Sequence, residues 1–101
     1  MRGGEKKLLG LYYFRWTGTS DELKEYIERV NETADGIEGA SFEGVFTPTS
    51  EWSAVLLLEG TSFDKIMEIY KQYIKKYGSH PRIPVAKVES LFTFEEVGYP
   101  T

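Results

Sequence analysis

The sequence predicts an α+β domain in which two helices cover one face of a four-stranded antiparallel sheet. Its 101 residues fit a single domain, and 41% hydrophobic and 28% charged residues are usual for a globular protein. Two segments repeat apolar residues at helical spacing, and four others are rich in the aliphatic and aromatic residues that favour strands. We therefore expect one domain over residues 1–101, with a flexible N-terminus over residues 1–6.

The first strand and the first helix follow one another directly. Residues 7–16 are rich in leucine and aromatic residues and precede a Thr-Gly-Thr-Ser turn, which is typical of a strand that ends there. Thr19 and Glu22 have the spacing of a capping box, in which the two side chains satisfy backbone donors at a helix start. The helix should end before Gly36. Its apolar stripe consists of Leu23, Tyr26, Ile27, Val30 and Ala34.

The middle of the chain predicts a hairpin. Two short strands are expected over residues 41–47 and 52–59. Pro48 lies between them and has no backbone N–H to donate to a strand ladder. The chain should therefore reverse its direction there and pair the two strands side by side.

The C-terminal part predicts a second helix and a last strand. The helix should be capped by Thr61 or Ser62 and should end at Gly78, and a proline-containing loop should separate it from a strand over residues 85–94. Short connections and right-handed crossovers then favour the ferredoxin-like βαββαβ arrangement. The apolar stripe of this helix consists of Phe63, Ile66, Met67, Tyr70, Tyr73, Ile74 and Tyr77.

The sheet face that carries no helix, called here the helix-free face, should be polar if it meets water. The strands contradict this, because the first strand places Leu9, Leu11 and Tyr13 on one side while its other side is equally apolar. At about 25 cal/mol per Å², leaving several such side chains in water would forfeit several kcal/mol. Exposed apolar patches of this kind usually mark an interface. The pattern therefore predicts that something covers the helix-free face.

The chain resembles the dimeric α/β-barrel superfamily, in which two ferredoxin-like protomers pack sheet against sheet. The resemblance lies in the element order, the doubly apolar strands, residues 52–59 leading into the capped helix, and Pro84 and Val85 at the start of the last strand. Within the superfamily, the chain is most similar to small domains of unassigned function. The resemblance implies a homodimer with a pocket. It implies no particular reaction, because no catalytic motif of the monooxygenase, isomerase or chlorite-dismutase-like members is present.

Composition excludes several classes of function. The chain has no cysteine, which rules out disulfides, thiolate metal sites and thiol nucleophiles. A net charge of -4 argues against nucleic-acid binding. No apolar stretch approaches the roughly 20 residues of a membrane helix, and no secretory signal is recognisable, so we expect a cytoplasmic protein without membrane contact. Few Asn and Gln residues beside many Glu and Lys residues are typical of heat-adapted proteins.

The candidate ligand-binding residues are Tyr13, Arg15, Lys87 and Glu89. They are aromatic or charged side chains on the first and last predicted strands, and Lys87 and Glu89 should point away from the helices. Our leading interpretation is a homodimer that binds a small apolar or aromatic ligand between its two sheets, with no cofactor and no metal. The alternative is structural: the charges are ordinary edge residues, and the aromatic rings fill the core or the interface.

The alternative function is a cofactor-independent monooxygenase or isomerase. Tyr13, Arg15, Lys87 or Glu89 would then orient the substrate, and His80 would move protons. His80 is the only histidine and so the only side chain whose ordinary pKa lies near neutrality, which makes it, with Arg15, a weak catalytic candidate. Against this, no partner cluster lies near His80 in sequence, and a histidine in a loop is more often solvent-facing.

Charge is distributed unevenly along the chain. Residues 21–43 contain eight acidic and two basic residues, whereas residues 65–87 contain six basic and one acidic residue. The two helices could attract each other across their exposed margins, where each pair contributes at most about 1 kcal/mol. Alternatively, the two flanks could join dimers head to tail into a higher oligomer that high salt dissociates.

Overall fold

The ferredoxin-like prediction is confirmed by a computed structural model, which describes residues 8–78 and 82–91. The antiparallel strands lie side by side in the order β2-β3-β1-β4. The predicted flexible segment 1–6, His80 and residues 92–94 of the predicted last strand lie outside the described residues. The elements are β1 (Leu8–Phe14), α1 (Ser20–Asp35), β2 (Ala40–Phe46), β3 (Ala54–Gly60), α2 (Phe63–Tyr77) and β4 (Ala86–Leu91).

Both helices begin at capping residues. The Thr19 hydroxyl accepts from the Glu22 backbone N–H at 3.1 Å, and the Thr19 N–H donates to the Glu22 carboxylate at 2.9 Å, so the predicted capping box is present. At α2 the cap is Ser62, whose hydroxyl accepts from the Lys65 N–H. Gly78 ends α2 at a φ of +86°, a backbone conformation that glycine adopts without steric cost.

The core lies between the sheet and the helices. Phe14, Leu56 and Tyr73 are its largest fully buried side chains, contributed by β1, β3 and α2. Helix α2 sits close to the sheet at Ile66. A Cβ on Gly10 or on Gly60 would lie only 3.1 Å or 2.9 Å from Ile66 side-chain atoms. The two glycines therefore let the helix approach the strands at this point.

The helices cover the sheet unevenly. Helix α1 packs mainly against β2, and α2 packs mainly against β3, with smaller contacts to β1 and β2. Over the described residues, neither helix packs extensively on β4. Val88, which pairs with Tyr12 on the helix side of β4, is 41% exposed. The helix side of the β4 edge is therefore open.

Two local features depart from the predicted pattern. Trp52 precedes β3 rather than lying in it, and its ring contacts that of Tyr13 at 6.0 Å between centroids. A register shift between Phe42 and Gly44 places an extra residue, Glu43, in β2. Because of this bulge, Phe46 pairs with Val55 on the helix-free face and is 57% exposed.

Candidate functional site

The helix-free face is apolar along its centre. Leu9, Leu11 and Tyr13 of β1 alternate with the core-facing residues of the same strand. The register places Leu57 opposite Leu11 and Val55 opposite Tyr13 on β3, so these five side chains share one surface. Their arrangement agrees with the strand pattern of the sequence. No helix of the described chain packs over them.

Three of the four predicted ligand-binding residues meet at the β4 side of this face. Lys87 pairs with Tyr13, and its ammonium nitrogen lies 4.6 Å from the Tyr13 ring centroid and 5.9 Å from that of Trp52. The same nitrogen lies 3.7 Å from the Glu89 carboxylate. Loss of hydration, together with the neighbouring Glu89 carboxylate, raises the pKa of Tyr13. Lys87 and Glu89 thus point away from the helices, as predicted.

Arg15 stands apart from this group. Its guanidinium lies 3.0 Å from the Glu51 carboxylate, and both side chains are about half exposed. An exposed ion pair of this kind contributes little to stability. Over the described residues, the structure therefore joins Tyr13, Lys87 and Glu89 but assigns Arg15 to a separate surface pair.

A cavity lies on the opposite side of the sheet, between the helices and the strands. It has a volume of about 220 Å³ and is bounded by α1, α2, β1, β3 and β4. Tyr70 and Val88, which both line it, are 48% and 41% exposed, so the cavity opens between α2 and β4. The described residues of its wall include four tyrosines, and we call it the tyrosine cavity. The tyrosines are Tyr12, Tyr26, Tyr70 and Tyr73, and the aliphatic wall includes Val30, Leu56, Leu58, Ile66 and Ile69.

Small residues and the uneven helix cover explain why the cavity exists. Gly10 and Ala86 line it from β1 and β4, and they contribute almost no side-chain volume. Over the described residues, helix α2 leaves β4 largely uncovered, so no helix packs closely over Ala86. The space that these side chains leave unfilled beside the packed core is the tyrosine cavity.

Two of the tyrosines that line the cavity, Tyr12 and Tyr26, interact with each other. The hydroxyls of Tyr12 and Tyr26 are hydrogen-bonded to each other. Burial raises the pKa of both groups, and it raises that of Tyr26 strongly. Burial also raises the pKa of Tyr73, although an interaction with the Arg29 guanidinium opposes this shift. These tyrosines are therefore neutral hydroxyls rather than bases at neutral pH.

The described part of the cavity wall offers few groups for acid–base catalysis. Among the described lining residues there is no carboxylate and no histidine. Lys87 reaches the wall, but its ammonium lies over Tyr13 on the other face of the sheet. The described residues also contain no cluster of three or more His, Cys, Asp or Glu side chains that could hold a metal ion. This cavity can enclose a small apolar molecule.

The sequence did not predict the cavity. Tyr26, Tyr70 and Tyr73 belong to the apolar stripes of the two helices, and this pattern predicts core residues. The signal that could have revealed the site is the choice of tyrosine, since a purely structural stripe needs no hydroxyl groups. The predicted ligand position between two sheets lies on the other face.

The fold is shared with solved structures of low sequence identity. A DABB family protein with a ferredoxin-like fold from Mesorhizobium loti aligns with a TM-score of 0.67 and 11% identity, over 86% of this chain and 96% of that chain. Hydroxynitrile lyase from Passiflora edulis aligns with a TM-score of 0.65 and 7% identity, over 87% and 94%. A protein from Shewanella oneidensis aligns with a TM-score of 0.61 and 14% identity, over 87% and 91%. At these identities the likeness shows the fold alone.

No protein-family model matches the sequence, and no curated protein matches it. Neither α1 nor α2, the helices within residues 8–78 and 82–91, has the length and apolar character needed to cross a membrane.

Proposed function

We propose that this protein is a homodimer, formed through the helix-free face, that binds a small apolar or aromatic molecule. The observation that supports ligand binding is the tyrosine cavity, with its volume of about 220 Å³ and its aliphatic and aromatic wall. Concave apolar sites with a few polar groups are the usual form of small-molecule sites. The ligand is placed on the helix side, rather than between two sheets, because the chain forms a cavity there.

A second copy of the chain is the occupant proposed for the helix-free face. The centre of the face is apolar, and its charged side is internally compensated, because the Lys87 ammonium lies near the Glu89 carboxylate. A two-fold axis would bring the same apolar centre and the same opposite charges from both copies. Sheets commonly pack face to face in this way. A mass measurement at low micromolar concentration tests the pairing, and a stable monomer would contradict it.

Ligand binding is tested by closing the cavity from an exposed position. Ala86 lines the cavity on the open edge strand, so Ala86→Phe should fill it without disturbing the buried core. Toluene titrated into the protein should give saturable amide chemical-shift changes that this variant abolishes. Val85→Phe is the matched control, because Val85 is 49% exposed, precedes Ala86 and is not part of the cavity wall. No saturable binding of toluene by the unmodified protein would refute the ligand proposal.

A second candidate function is a cofactor-independent monooxygenase or isomerase. The contact of Tyr13, Lys87 and Glu89 favours it, because a hydroxyl, an ammonium and a carboxylate together can orient a polar substrate. His80 would move protons in this scheme, and Arg15 would help to orient the substrate. Lys87→Met should then abolish turnover while leaving the unfolding temperature unchanged. Loss of folding in this variant would instead assign Lys87 a structural role.

A further inference from the structure

We infer that the tyrosine cavity takes in only the apolar end of its ligand, about one ring in size, and that a polar or charged group of the ligand stays in water at the opening beside Val88. This inference rests on the proposed function, because it specifies how a ligand of the same cavity is built and oriented. Three properties of the cavity lead to it: its size, its apolar surface and the unequal burial of its wall.

The size of the cavity limits the enclosed part of the ligand to about one ring. An apolar cavity of about 150 Å³ is large enough to hold benzene. The tyrosine cavity, at about 220 Å³, therefore has room for one six-membered ring and a few further carbon atoms. A longer molecule has to leave the cavity at one end.

The surface of the cavity offers no partner to a charged group. The described lining residues present an almost entirely apolar surface to it, and they include no carboxylate and no histidine. Lys87 is the one cation among them, and its ammonium lies over Tyr13 on the helix-free face, 3.7 Å from the Glu89 carboxylate. Burying a charge or a polar group without a partner is strongly disfavoured. The enclosed part of the ligand is therefore hydrocarbon.

The wall of the cavity is buried on one side and exposed on the other. Leu56, Ile66 and Ile69 line it from the core and are buried. Tyr70 of α2 and Val88 of β4 also line it, but they are 48% and 41% exposed. Over the described residues, neither helix packs extensively on β4. A ligand can therefore bury its apolar end against the core while a group at its other end keeps its hydration.

Three probes separate these properties. Propylbenzene has the ring and a short chain without a polar group, phenylbutyrate adds one carboxylate at the end of the same chain, and para-carboxyphenylbutyrate carries a second carboxylate on the ring. In chemical-shift or calorimetric titrations, the affinity of phenylbutyrate should lie within about tenfold of that of propylbenzene, because its carboxylate stays hydrated. The dicarboxylate should show no saturable binding, because one of its two charges would be buried.

Opposite charges at Val88 test where the carboxylate lies. Val88→Lys should bind phenylbutyrate about fivefold more tightly than Val88→Glu, as expected for an exposed pair of charges. Both variants remove the same valine, so the two should bind propylbenzene equally. Val45→Lys and Val45→Glu are the matched controls, because Val45 lies on the helix side of the other edge strand, is also 41% exposed and is not among the described lining residues. These two variants should bind phenylbutyrate with equal affinity.

The outcomes distinguish the inference from the function on which it rests. If propylbenzene binds and phenylbutyrate does not, the cavity is a ligand site that encloses its ligand completely, and the inference is wrong. Saturable binding of the dicarboxylate, or equal affinities of the two Val88 variants for phenylbutyrate, would also overturn it. If propylbenzene does not bind, the proposed ligand function fails together with the inference.

A second measurement needs no variant. In the unmodified protein, nuclear Overhauser contacts should join the ring of phenylbutyrate to Leu56 and the methylene next to its carboxylate to Val88. Contacts in the reverse order would contradict the inferred orientation even if a Val88 variant failed to fold.

Discussion

Among the single residues, Tyr26 of α1 connects the helix layer with the sheet. Its ring meets those of Phe14 and Tyr73 edge-on at centroid distances of 5.6 Å and 5.2 Å, and it stacks on Trp16 at 5.6 Å. Its hydroxyl is hydrogen-bonded to that of Tyr12 in the wall of the cavity. One side chain therefore belongs to the packed core and also lines the cavity of the proposed ligand site.

The raised pKa of Tyr26 predicts a loss of stability in strong alkali. Burial, the largest cause, disfavours the phenolate in the folded state, whereas an unfolded tyrosine ionises near pH 10. Above that pH the unfolded state binds fewer protons than the folded state, so stability is complete below about pH 10 and falls as the pH rises further. Each such tyrosine should lower the unfolding free energy by about 1.4 kcal/mol per pH unit.

Urea unfolding between pH 8 and pH 11.5 measures this slope. Tyr26→Phe should reduce the slope by about one ionising group, although the variant also loses a hydrogen bond and is less stable at every pH. Thr19→Ala is a useful control, because it should lower the stability without changing the slope. An identical slope for Tyr26→Phe and the unmodified protein would show that this hydroxyl is not protected by burial.

At the scale of helices and strands, features set by a few neighbouring residues agree with the sequence prediction. Features set by the alignment of one strand with another depart from it. Thr19 and Glu22 could be recognised from their spacing alone, because a capping box depends on four consecutive residues. The position of Trp52 outside β3 and the bulge at Glu43 depend on how two strands align with each other. The cavity could not be predicted for the same reason, since it results from the uneven placement of helices over the sheet.

The capping box of α1 should contribute measurably to stability. Thr19→Ala removes the hydroxyl that accepts from the Glu22 N–H, and it should lower the free energy of unfolding by about 1 kcal/mol. The measurement is the urea midpoint at pH 7. Ser20→Ala is the matched control, because Ser20 is exposed and lies one position further into the helix. Equal losses in the two variants would mean that the box does not stabilise the helix.

At the scale of the whole molecule, one sheet serves two surfaces. On strand β1, Tyr12 lines the tyrosine cavity, whereas its neighbours Leu11 and Tyr13 lie on the helix-free face. The sequence predicted these two apolar faces because strand residues alternate from side to side. It predicted a ligand at the helix-free face because that face is apolar and uncovered, and the tyrosines of α1 and α2 give no sign in sequence that they meet around a single space.

The association of two copies is best tested at Leu57. This residue lies in β3 on the helix-free face opposite Leu11, so Leu57→Glu would place a carboxylate at the centre of the proposed interface. Burying an unpaired charge there should cost several kcal/mol, and it should convert the dimer to a folded monomer at low micromolar concentration. Asn31→Glu adds the same charge on the exposed surface of α1 and should leave the dimer intact.

Light-scattering mass measurements at low and at high salt separate the two kinds of contact that we propose between copies of the chain. An apolar interface through the helix-free face should survive high salt, because burial of apolar surface is not screened by ions. Larger assemblies held by the acidic margin of α1 and the basic margin of α2, as at Glu28 and Lys75, should dissociate to dimers, because exposed charges lose their attraction beyond the short screening length. Salt that reduced the unmodified protein to monomers would show that charge, rather than the apolar face, joins the two copies.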